Sequence, residues 1–234
     1  MTPPSGSKTN NRLLAALSPE DMDYLWPYLD PVTLSYKQVL YAKGAPIEPI
    51  YFIEHGVVSV LTVMTNGAMG EVGMIGFEGM VGASVLLGVA TSAQHVMVQI
   101  PGIALRIDAA SCRAAFDRRG SFHTVALRFV ESFLNLGAQT AACNLHHSAE
   151  QRFARWLLMM QDRVELPTMP MTHEFLSLML GVRRTGVTAI ARDLQRAGLI
   201  QYHRGKLLIT DRDGLEASAC ECYRIDRKRV ERLL

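Results

Sequence analysis

The 234-residue sequence predicts an α+β fold with an N-terminal β-barrel, one long helix and a C-terminal winged helix-turn-helix. Three observations support this prediction. Short β-rich runs punctuated by Gly and Pro fill residues 32–107, and a seven-residue apolar periodicity runs through 121–147. Two short helical segments that meet at Gly181 precede a basic hairpin. Many short strands with frequent turns are typical of barrels and sandwiches.

The composition is that of a globular chain, with 49% hydrophobic and 20% charged residues. No run of about 18 apolar residues occurs, so neither a membrane span nor a membrane partner is predicted. Residues 1–11 are polar and turn-rich, and we interpret them as a disordered lead. The four cysteines lack the spacing of a secreted disulfide framework, which favours free thiols and a cytoplasmic location.

The N-terminal domain is predicted over residues 12–120. Residues 11–29 have helical spacing of apolar residues, and Ser18-Pro19 with the two acids that follow is a helix start. Asn66-Gly67 is the strongest hairpin signal of the β-rich part. The predicted strands cover residues 32–36, 38–41, 50–64, 95–100 and 103–107.

Residues 121–147 predict a long dimerisation helix. Apolar side chains recur there in steps of four and three, which is the heptad pattern of a coiled-coil interface. The alternative is a helix that packs on the barrel of its own chain. The predicted dimer seam consists of Phe122, Ala126, Phe129, Phe133, Leu136, Thr140 and Cys143.

The C-terminal domain is predicted over residues 148–234. Ser148 followed by Gln151 is a capping-box pattern that begins a new helix. Further along, Thr172 caps a helix that ends at Gly181, and a second helix follows directly. Two short helices joined by a tight turn form a helix-turn-helix. The basic hairpin at 204–205 adds a wing, and the chain closes with a helical tail.

Charge is distributed unevenly along the chain. From residue 151 onward there are 15 Lys/Arg and 10 Asp/Glu, whereas the preceding part has 9 and 12. A basic domain beside a mildly acidic one favours a nucleic-acid-binding module. The sequence has no Walker-type lysine loop, no His-Glu-x-x-His and no Gly-x-Ser-x-Gly, so no enzyme and no catalytic residue are predicted.

In this order, the parts resemble the CRP/FNR superfamily of bacterial transcription regulators. The sharpest matches are "GVRRTGVTAIARDLQRAGLI" at 181–200 and "EGMVGASVLLG" at 78–88. The resemblance implies a cyclic-nucleotide-binding-like jelly roll for the barrel and a homodimer. It also implies a pseudo-palindromic operator in double-stranded DNA, with RNA polymerase as a further partner. The predicted function is therefore a homodimeric, sequence-specific transcription regulator.

Arginine at the start of a recognition helix can pair bidentately with guanine, and threonine can meet a base edge or a thymine methyl group. We assign Arg184, Thr185 and Thr188 to base edges. Thr185 and Ala189 replace an acidic and a basic residue of the family pattern, so the family's usual operator sequence is not implied. The remaining predicted DNA-binding residues are Arg183, Arg192, Arg204 and Lys206 on phosphates, together with Thr172.

Cyclic-nucleotide sensors of the family carry a Glu in the segment that resembles residues 78–88 and an Arg about ten residues later, where this chain has Ser92 or a neighbour. Here Met80 stands at the Glu position, and no Lys or Arg occurs from Gly44 to Leu105. A phosphate without a charge-assisted partner binds weakly, so the usual cyclic-nucleotide mode is not predicted. A backbone-only phosphate site is the alternative, and an apolar or weakly polar effector, or none, is expected. The predicted pocket consists of Gly79, Met80, Val81, Gly82, Ser84, Ser92, Gln94, Asn135 and Gln139.

No cofactor and no metal site are predicted. The superfamily that the chain resembles includes iron–sulfur sensors, which carry cysteines near the N-terminus. This chain has no cysteine before Cys112. On a helix, His146 and His147 would point about 100° apart, and Cys220 and Cys222 would face nearly opposite sides. Cys220 and Cys222 could therefore form a metal pair only if the tail is extended there. An alternative function is that of a redox-responsive regulator. In that case Cys143 would be the responsive thiol, acting by cross-subunit pairing or sulfenylation.

Overall fold

The computed structural model describes residues 9–164 and 166–233. The N-terminal part contains helices α1 (Arg12–Ala15) and α2 (Pro19–Leu25), and later α3 (Ala109–Asp117) and the long α4 (Ser121–His146). Its strands are β1 (Asp30–Leu34), β2 (Val39–Tyr41), β3 (Ile50–Val63), β4 (Met69–Ile75), β5 (Met80–Val81) and β6 (His95–Ile107). No helix among the described residues is both long and apolar enough to cross a bilayer.

The chain is ordered before residue 12, where the lead was predicted to end; residues 1–8 of that lead lie outside the described residues. Asn11 is fully buried and caps α1 by accepting a hydrogen bond from the backbone of Leu14. Its side-chain amide donates to the carbonyl of Ile53 at 2.9 Å and to that of Gly79 at 2.8 Å. The end of the lead is therefore fixed to the sheet.

The helical stretch predicted at 11–29 is divided into α1, α2 and a 3₁₀ turn at Trp26–Tyr28. The division falls at the predicted helix start, because the hydroxyl of Ser18 accepts a hydrogen bond from the backbone of Asp21. Pro19 occupies the first helical position, where its missing N–H costs nothing.

The six strands form one antiparallel sheet in the order β1-β6-β3-β4, with β2 paired to β6 and β5 paired to β3. The predicted barrel is not closed, since β1 and β4 end this order and do not pair with each other in the described chain. Strand β6 runs unbroken through the Pro101-Gly102 turn that was predicted to divide it. Gly102 permits this, because a Cβ there would lie 1.9 Å from the carbonyl oxygen of His55 on β3.

The Asn66-Gly67 hairpin is present and joins β3 to β4. Gly67 has a φ of 81°, and Met64 donates a backbone hydrogen bond to Ala68 at 2.8 Å. Strand β4 itself was not predicted, because glycines lower the strand propensity of its sequence. At Gly73 a Cβ would lie 3.0 Å from the ring of Phe133, so glycine lets the sheet approach α4 closely.

Helix α4 buries the face that was predicted to form the dimer seam. Phe122, Ala126, Phe129, Leu136 and Cys143 are all less than 9% exposed within the single protomer. Most of them pack on the sheet, and Phe129 stacks on Phe133 with ring centroids 6.1 Å apart. The helix therefore packs on its own chain through this face, which was the alternative to the predicted dimer seam.

The C-terminal domain contains helices α5 (Ala149–Gln161), α6 (His173–Leu180), α7 (Arg184–Arg196), α8 (Arg212–Ser218) and α9 (Cys222–Leu233). Its strands are β7 (Met169–Pro170), β8 (Ile200–His203) and β9 (Lys206–Ile209), in the order β7-β9-β8. Helix α5 begins with the predicted capping box, in which Ser148 and Gln151 exchange hydrogen bonds. The tail helix α9 packs against α4 and α5.

A shared apolar core joins the C-terminal domain to the sheet, and α6 lies against β4. Burial of each large side chain stabilises this junction by roughly 1.5–3 kcal/mol. The sheet contributes Val57, Leu61, Met74, Met97 and Ile100, and the C-terminal domain contributes Phe153, Trp156, Leu157, Met160, Phe175 and Leu176, among others.

Candidate nucleic-acid interface

Helices α6 and α7 form the predicted helix-turn-helix. The hydroxyl of Thr172 accepts a hydrogen bond from the backbone of Phe175 at 3.1 Å and so begins α6. Gly181 ends α6 with a φ of 63°, in the left-handed region where glycine is unstrained. Arg183 is the residue that precedes α7, and its side chain makes no capping bond and lies exposed.

Helix α7 has one buried face and one solvent face. Val187, Ala191 and Leu194 are at most 2% exposed and anchor the helix in the core. Thr185 and Arg192 lie on the opposite side and are exposed. The structure therefore places two of the predicted DNA-binding side chains where a nucleic acid can reach them.

Arg184 is exposed at the first turn of α7, whereas Thr188, one turn later, is half-buried. The Thr188 hydroxyl donates to the carbonyl of Arg184 at 3.0 Å and lies 2.9 Å from Nδ1 of His173. Because these bonds occupy the hydroxyl, Thr188 can offer a base its methyl group more readily than its oxygen.

His173 is a residue of this site that the sequence analysis missed. Its ring stacks on Tyr202 of the wing with centroids 4.5 Å apart, and Tyr202 donates to the carbonyl of Met171 at 2.7 Å. Burial lowers the pKa of His173, and the positive charge of Arg184 lowers it further. A neutral imidazole therefore connects α6, α7 and the wing. Its only sequence signal is its position directly after the Thr172 cap.

The wing is the β8–β9 hairpin, whose turn is formed by Arg204 and Gly205. Both have positive φ values, 47° and 76°, as the tight turns favoured in hairpins require. Arg204 and Lys206 are exposed at its tip and flank. Thr172 is also exposed, and a Cβ added at Gly205 would lie 3.9 Å from its methyl group, so the wing tip adjoins the start of α6.

The residues predicted to form an effector pocket are mostly engaged elsewhere. Met80 and Val81 are at most 1% exposed and pair with β3 inside the N-terminal core. Gly79 lies under the Phe129 ring, because a Cβ there would be 2.4 Å from it. The side chain of Gln139 donates to the sulfur of Cys222 at 3.0 Å and so belongs to a different neighbourhood.

The other predicted pocket residues make local contacts. Ser92 is buried, and its hydroxyl donates to the backbone carbonyl of Gln94 at 2.8 Å. Asn135 donates to the backbone carbonyl of Glu131 one turn earlier on α4. Gly82, with a φ of 98°, precedes a short 3₁₀ helix that contains the half-buried Ser84.

A cavity of about 230 Å³ lies beside α4, between the N-terminal sheet and α9, and these predicted residues do not line it. Phe129 and Phe133 form its apolar wall, and four arginines and several carboxylates surround it. Its lining includes Arg12, Phe77, Glu78, Phe129, Phe133, Asp162, Arg163, Asp226, Arg227 and Arg229.

Glu71 and Glu78, the two carboxylates of the glycine-rich segment 71–88, point to the C-terminal domain. Arg163, just beyond α5, donates to Glu78 at 2.7 Å, and both side chains are at most 7% exposed. The indole nitrogen of Trp156 donates to Glu71. Burial raises the pKa of Glu71 to about 7, although the hydrogen bonds to its carboxylate partly oppose the rise. This stretch therefore forms part of the junction between domains.

Cys220 and Cys222 do not lie on one helix, so the prediction that they face opposite sides is wrong. Cys220 falls in the link between α8 and α9, and Cys222 begins α9. This link brings Cys220 to 3.5 Å from Cys143 of the same chain. All three thiols are buried.

Comparison with known proteins agrees with this architecture. Residues 151–218 match the Crp-like helix-turn-helix domain family. No curated protein matches the chain. Several solved regulators have the same fold at low sequence identity.

The chain is similar to FixK2 from Bradyrhizobium japonicum, with 15% identity and a TM-score of 0.71 over 82% of this chain and 98% of that one. It is similar to a crp/fnr-family transcriptional regulator from Eubacterium rectale, with 16% identity and a TM-score of 0.67 over 89% and 97%. A CRP-family regulator from Thermus thermophilus gives 19% identity and a TM-score of 0.66 over 80% and 96%. The chain therefore has the fold of the CRP/FNR-family transcription regulators and contains a Crp-like helix-turn-helix domain.

Proposed function

We propose that this protein is a homodimeric transcription regulator that reads a pseudo-palindromic operator in double-stranded DNA. The exposed basic face of α7 carries the proposal. Arg184, Thr185 and Arg192 are free in solvent, while the buried face of the same helix fixes their orientation. The major groove of DNA admits an α-helix and presents a distinct donor and acceptor pattern for each base pair.

The proposed contacts divide into two classes. Arg184 at the first turn of α7 reads a base edge, and Thr185 lies beside it. Arg192 and the wing residues Arg204 and Lys206 contact phosphates, as does Arg183 ahead of α7. Phosphate contacts fix the position of the protein on DNA and make affinity depend on salt, whereas base contacts set the preferred sequence.

The dimer is proposed to form through the face of α4 that the sheet leaves uncovered. Leu127, Leu134 and Leu145 are 41%, 67% and 82% exposed there. Ala138 and Ala141 continue the same face at heptad spacing, while Glu131 places one charge within it. Exposed apolar patches of this kind mark interfaces. This interface replaces the predicted seam, whose residues pack inside the protomer.

A dimer of this kind places its two α7 helices in successive major grooves. The half-site centres then lie about one helical turn apart, roughly 34 Å. RNA polymerase stays a prediction as a further partner.

The N-terminal domain is proposed to act without a cyclic nucleotide bound in the family's usual way. Met80 is enclosed in the core, and Glu78 is already paired with Arg163. The Lys-free and Arg-free stretch from Gly44 to Leu105 offers a phosphate no cation of its own. We therefore place the domain's role in its contact with the C-terminal domain.

The proposal is tested by selection of duplexes from a random DNA pool with the full chain. The expected result is an enriched inverted repeat whose half-site centres are about one helical turn apart. An enriched pool with no common sequence, or with a single unrepeated site bound by one protomer, would contradict the proposed mode. The triple variant with Arg184, Thr185 and Arg192 changed to alanine is the matched control and should enrich nothing above input.

A further inference from the structure

Four potential metal ligands converge where the end of α4 meets the C-terminal tail. The ligand atoms of Cys143, His147, Cys220 and Cys222 all lie within 4.8 Å of one another. Cys143 is in the last turns of α4, and His147 is its C-terminal cap. Cys220 lies in the link between α8 and α9, and Cys222 is the first residue of α9. Residues more than 70 positions apart in the chain are thus gathered at one point.

The spacing matches a single tetrahedral ion. Zinc lies about 2.3 Å from thiolate sulfur and about 2.0–2.1 Å from imidazole nitrogen, which puts two sulfurs roughly 3.8 Å apart and sulfur and nitrogen roughly 3.6 Å apart. The Sγ atoms of Cys143 and Cys220 are 3.5 Å apart. The Sγ of Cys222 and Nδ1 of His147 are 3.6 Å apart.

Polar groups around the cluster orient the side chains of His147 and Cys222 as a metal site requires. Nε2 of His147 lies 3.1 Å from a carboxylate oxygen of Glu221, so the ring turns Nδ1 toward Cys222. Ligating histidines usually hold their second nitrogen on such a carboxylate. Gln139 also donates a hydrogen bond to the sulfur of Cys222 at 3.0 Å, which holds this side chain at the cluster. Apolar packing of three thiols would need none of these partners.

We propose that Cys143, His147, Cys220 and Cys222 bind one Zn²⁺ ion in a four-coordinate Cys₃His site. Three soft thiolates and one imidazole in tetrahedral spacing select zinc among common divalent ions. Four protein ligands leave no open position, which is the pattern of a structural rather than a catalytic site.

The ion would join two segments that lie on either side of the helix-turn-helix and the wing in the chain. Cys143 and His147 lie at the junction of α4 and α5, through which the dimerisation helix leads into the helix-turn-helix. Cys220 and Cys222 fix the start of α9, which packs against α4 and α5. Metal binding would therefore hold the tail on the junction and set the orientation of α5 relative to α4. Loss of the ion should loosen this connection without unfolding the N-terminal sheet.

The test uses the full chain, reduced and stripped with a chelator, then titrated anaerobically with Co²⁺ and Zn²⁺. We expect one Co²⁺ per chain with the charge-transfer absorption of cobalt–thiolate bonds and the visible bands of a tetrahedral site. Zn²⁺ should displace the cobalt, and one zinc per chain should remain after gel filtration. Cys112→Ala, which alters a buried thiol outside the cluster, is the matched control and should bind one ion.

Two variants separate ligation from folding. Cys220→Ser with Cys222→Ser should lose the tetrahedral cobalt spectrum while far-ultraviolet circular dichroism stays that of a folded chain. Glu221→Gln keeps all four ligands and should weaken zinc affinity by about 10-fold to 100-fold, because it removes the partner of the ligating histidine.

Four results would overturn the proposal. The first is a reduced, folded chain that takes up no stoichiometric cobalt or zinc. The second is cobalt binding that survives in the double cysteine variant. The third is recovery of iron with sulfide from the protein, which would show a cluster instead of a single ion. A Cys143–Cys220 disulfide that persists under thiol reductant would also exclude the site, because the 3.5 Å between these sulfurs must then close to about 2.05 Å.

Discussion

Trp156 of α5 donates its indole hydrogen to the carboxylate of Glu71 on β4, across the junction between the two domains. Glu71 is 9% exposed, and its second oxygen has no hydrogen-bond partner among the described residues. The contact thus places an acidic group of the sheet inside the apolar core that the C-terminal domain shares. Because of this burial, the stability of the junction depends on whether Glu71 is protonated.

The stability of the fold should fall as pH rises through neutrality because of Glu71. Burial raises its pKa from 4.5 to about 7, so the folded chain holds a proton that the unfolded chain has lost between these values. Proton uptake on folding means that stability falls with increasing pH, by about 3 kcal/mol from below pH 4.5 to above pH 7. Glu71→Gln should remove most of this dependence, as measured by urea unfolding from pH 5 to pH 8.

The control for this experiment is Glu48→Gln, at an exposed site outside the core. It should follow the wild-type pH profile. If Glu71→Gln also followed that profile, Glu71 would not be the group responsible.

Removal of Asp226 should destabilise the C-terminal helices strongly. Arg155 of α5 and Asp226 of α9 form an ion pair of 2.6 Å with side chains 7% and 4% exposed. Asp226→Ala leaves the arginine buried without its main partner, and we expect a loss of about 3–5 kcal/mol in the free energy of unfolding. The double variant Arg155→Met, Asp226→Leu should lose clearly less, because it removes both charges. A single variant within about 0.5 kcal/mol of wild type would show that the pair is not buried in solution.

Arg184 should determine sequence choice at one base pair of each half-site. Arg184→Ala is expected to cost about 1–3 kcal/mol of binding to the selected operator and little of the binding to random DNA. Arg204→Ala, at the wing, should weaken both to the same degree because it removes a phosphate contact. Fluorescence anisotropy with the two duplexes measures the difference. If Arg184→Ala weakened binding to the operator and to random DNA equally, Arg184 would contact a DNA phosphate and not a base.

A charge on the uncovered face of α4 should separate the dimer. Leu134→Glu places a carboxylate at a position that is 67% exposed in the protomer, so the fold of the single chain should survive. We expect a monomer by light scattering and weak binding to the full inverted repeat. Leu87→Glu changes another leucine that is more than half exposed, at 55% on a short 3₁₀ helix, and should remain dimeric. A dimeric Leu134→Glu variant would place the interface elsewhere.

The parts of the fold that local sequence determines were predictable. The caps at Ser148 and Thr172, the left-handed turn at Gly181 and the wing turn at 204–205 all follow from rules that act within a few residues. The structure confirms each of them. Strand β4 was missed because its glycines serve a tertiary purpose, the close approach to α4, that no local rule reports.

The remaining differences depend on distant contacts. Helix α4 carries apolar heptads on two faces, one through Phe129 and one through Leu134, and periodicity alone does not decide which face meets the sheet. The cysteine cluster was missed because Cys220 and Cys222 were treated as helical neighbours, whereas α9 begins only at Cys222. Only the tertiary fold brings Cys143 and His147 next to Cys220 and Cys222.

The central claim, that this protein regulates transcription by binding DNA through α7 and the wing, is tested most directly by the salt dependence of binding. The affinity of the full chain for its selected operator and for random DNA is measured over a series of salt concentrations. We predict that the logarithm of affinity falls steeply and linearly with the logarithm of salt for both, that the operator binds more tightly throughout, and that Arg204→Ala reduces the slope by about 1. Affinity that is independent of salt, or equal for the two duplexes, would contradict the account.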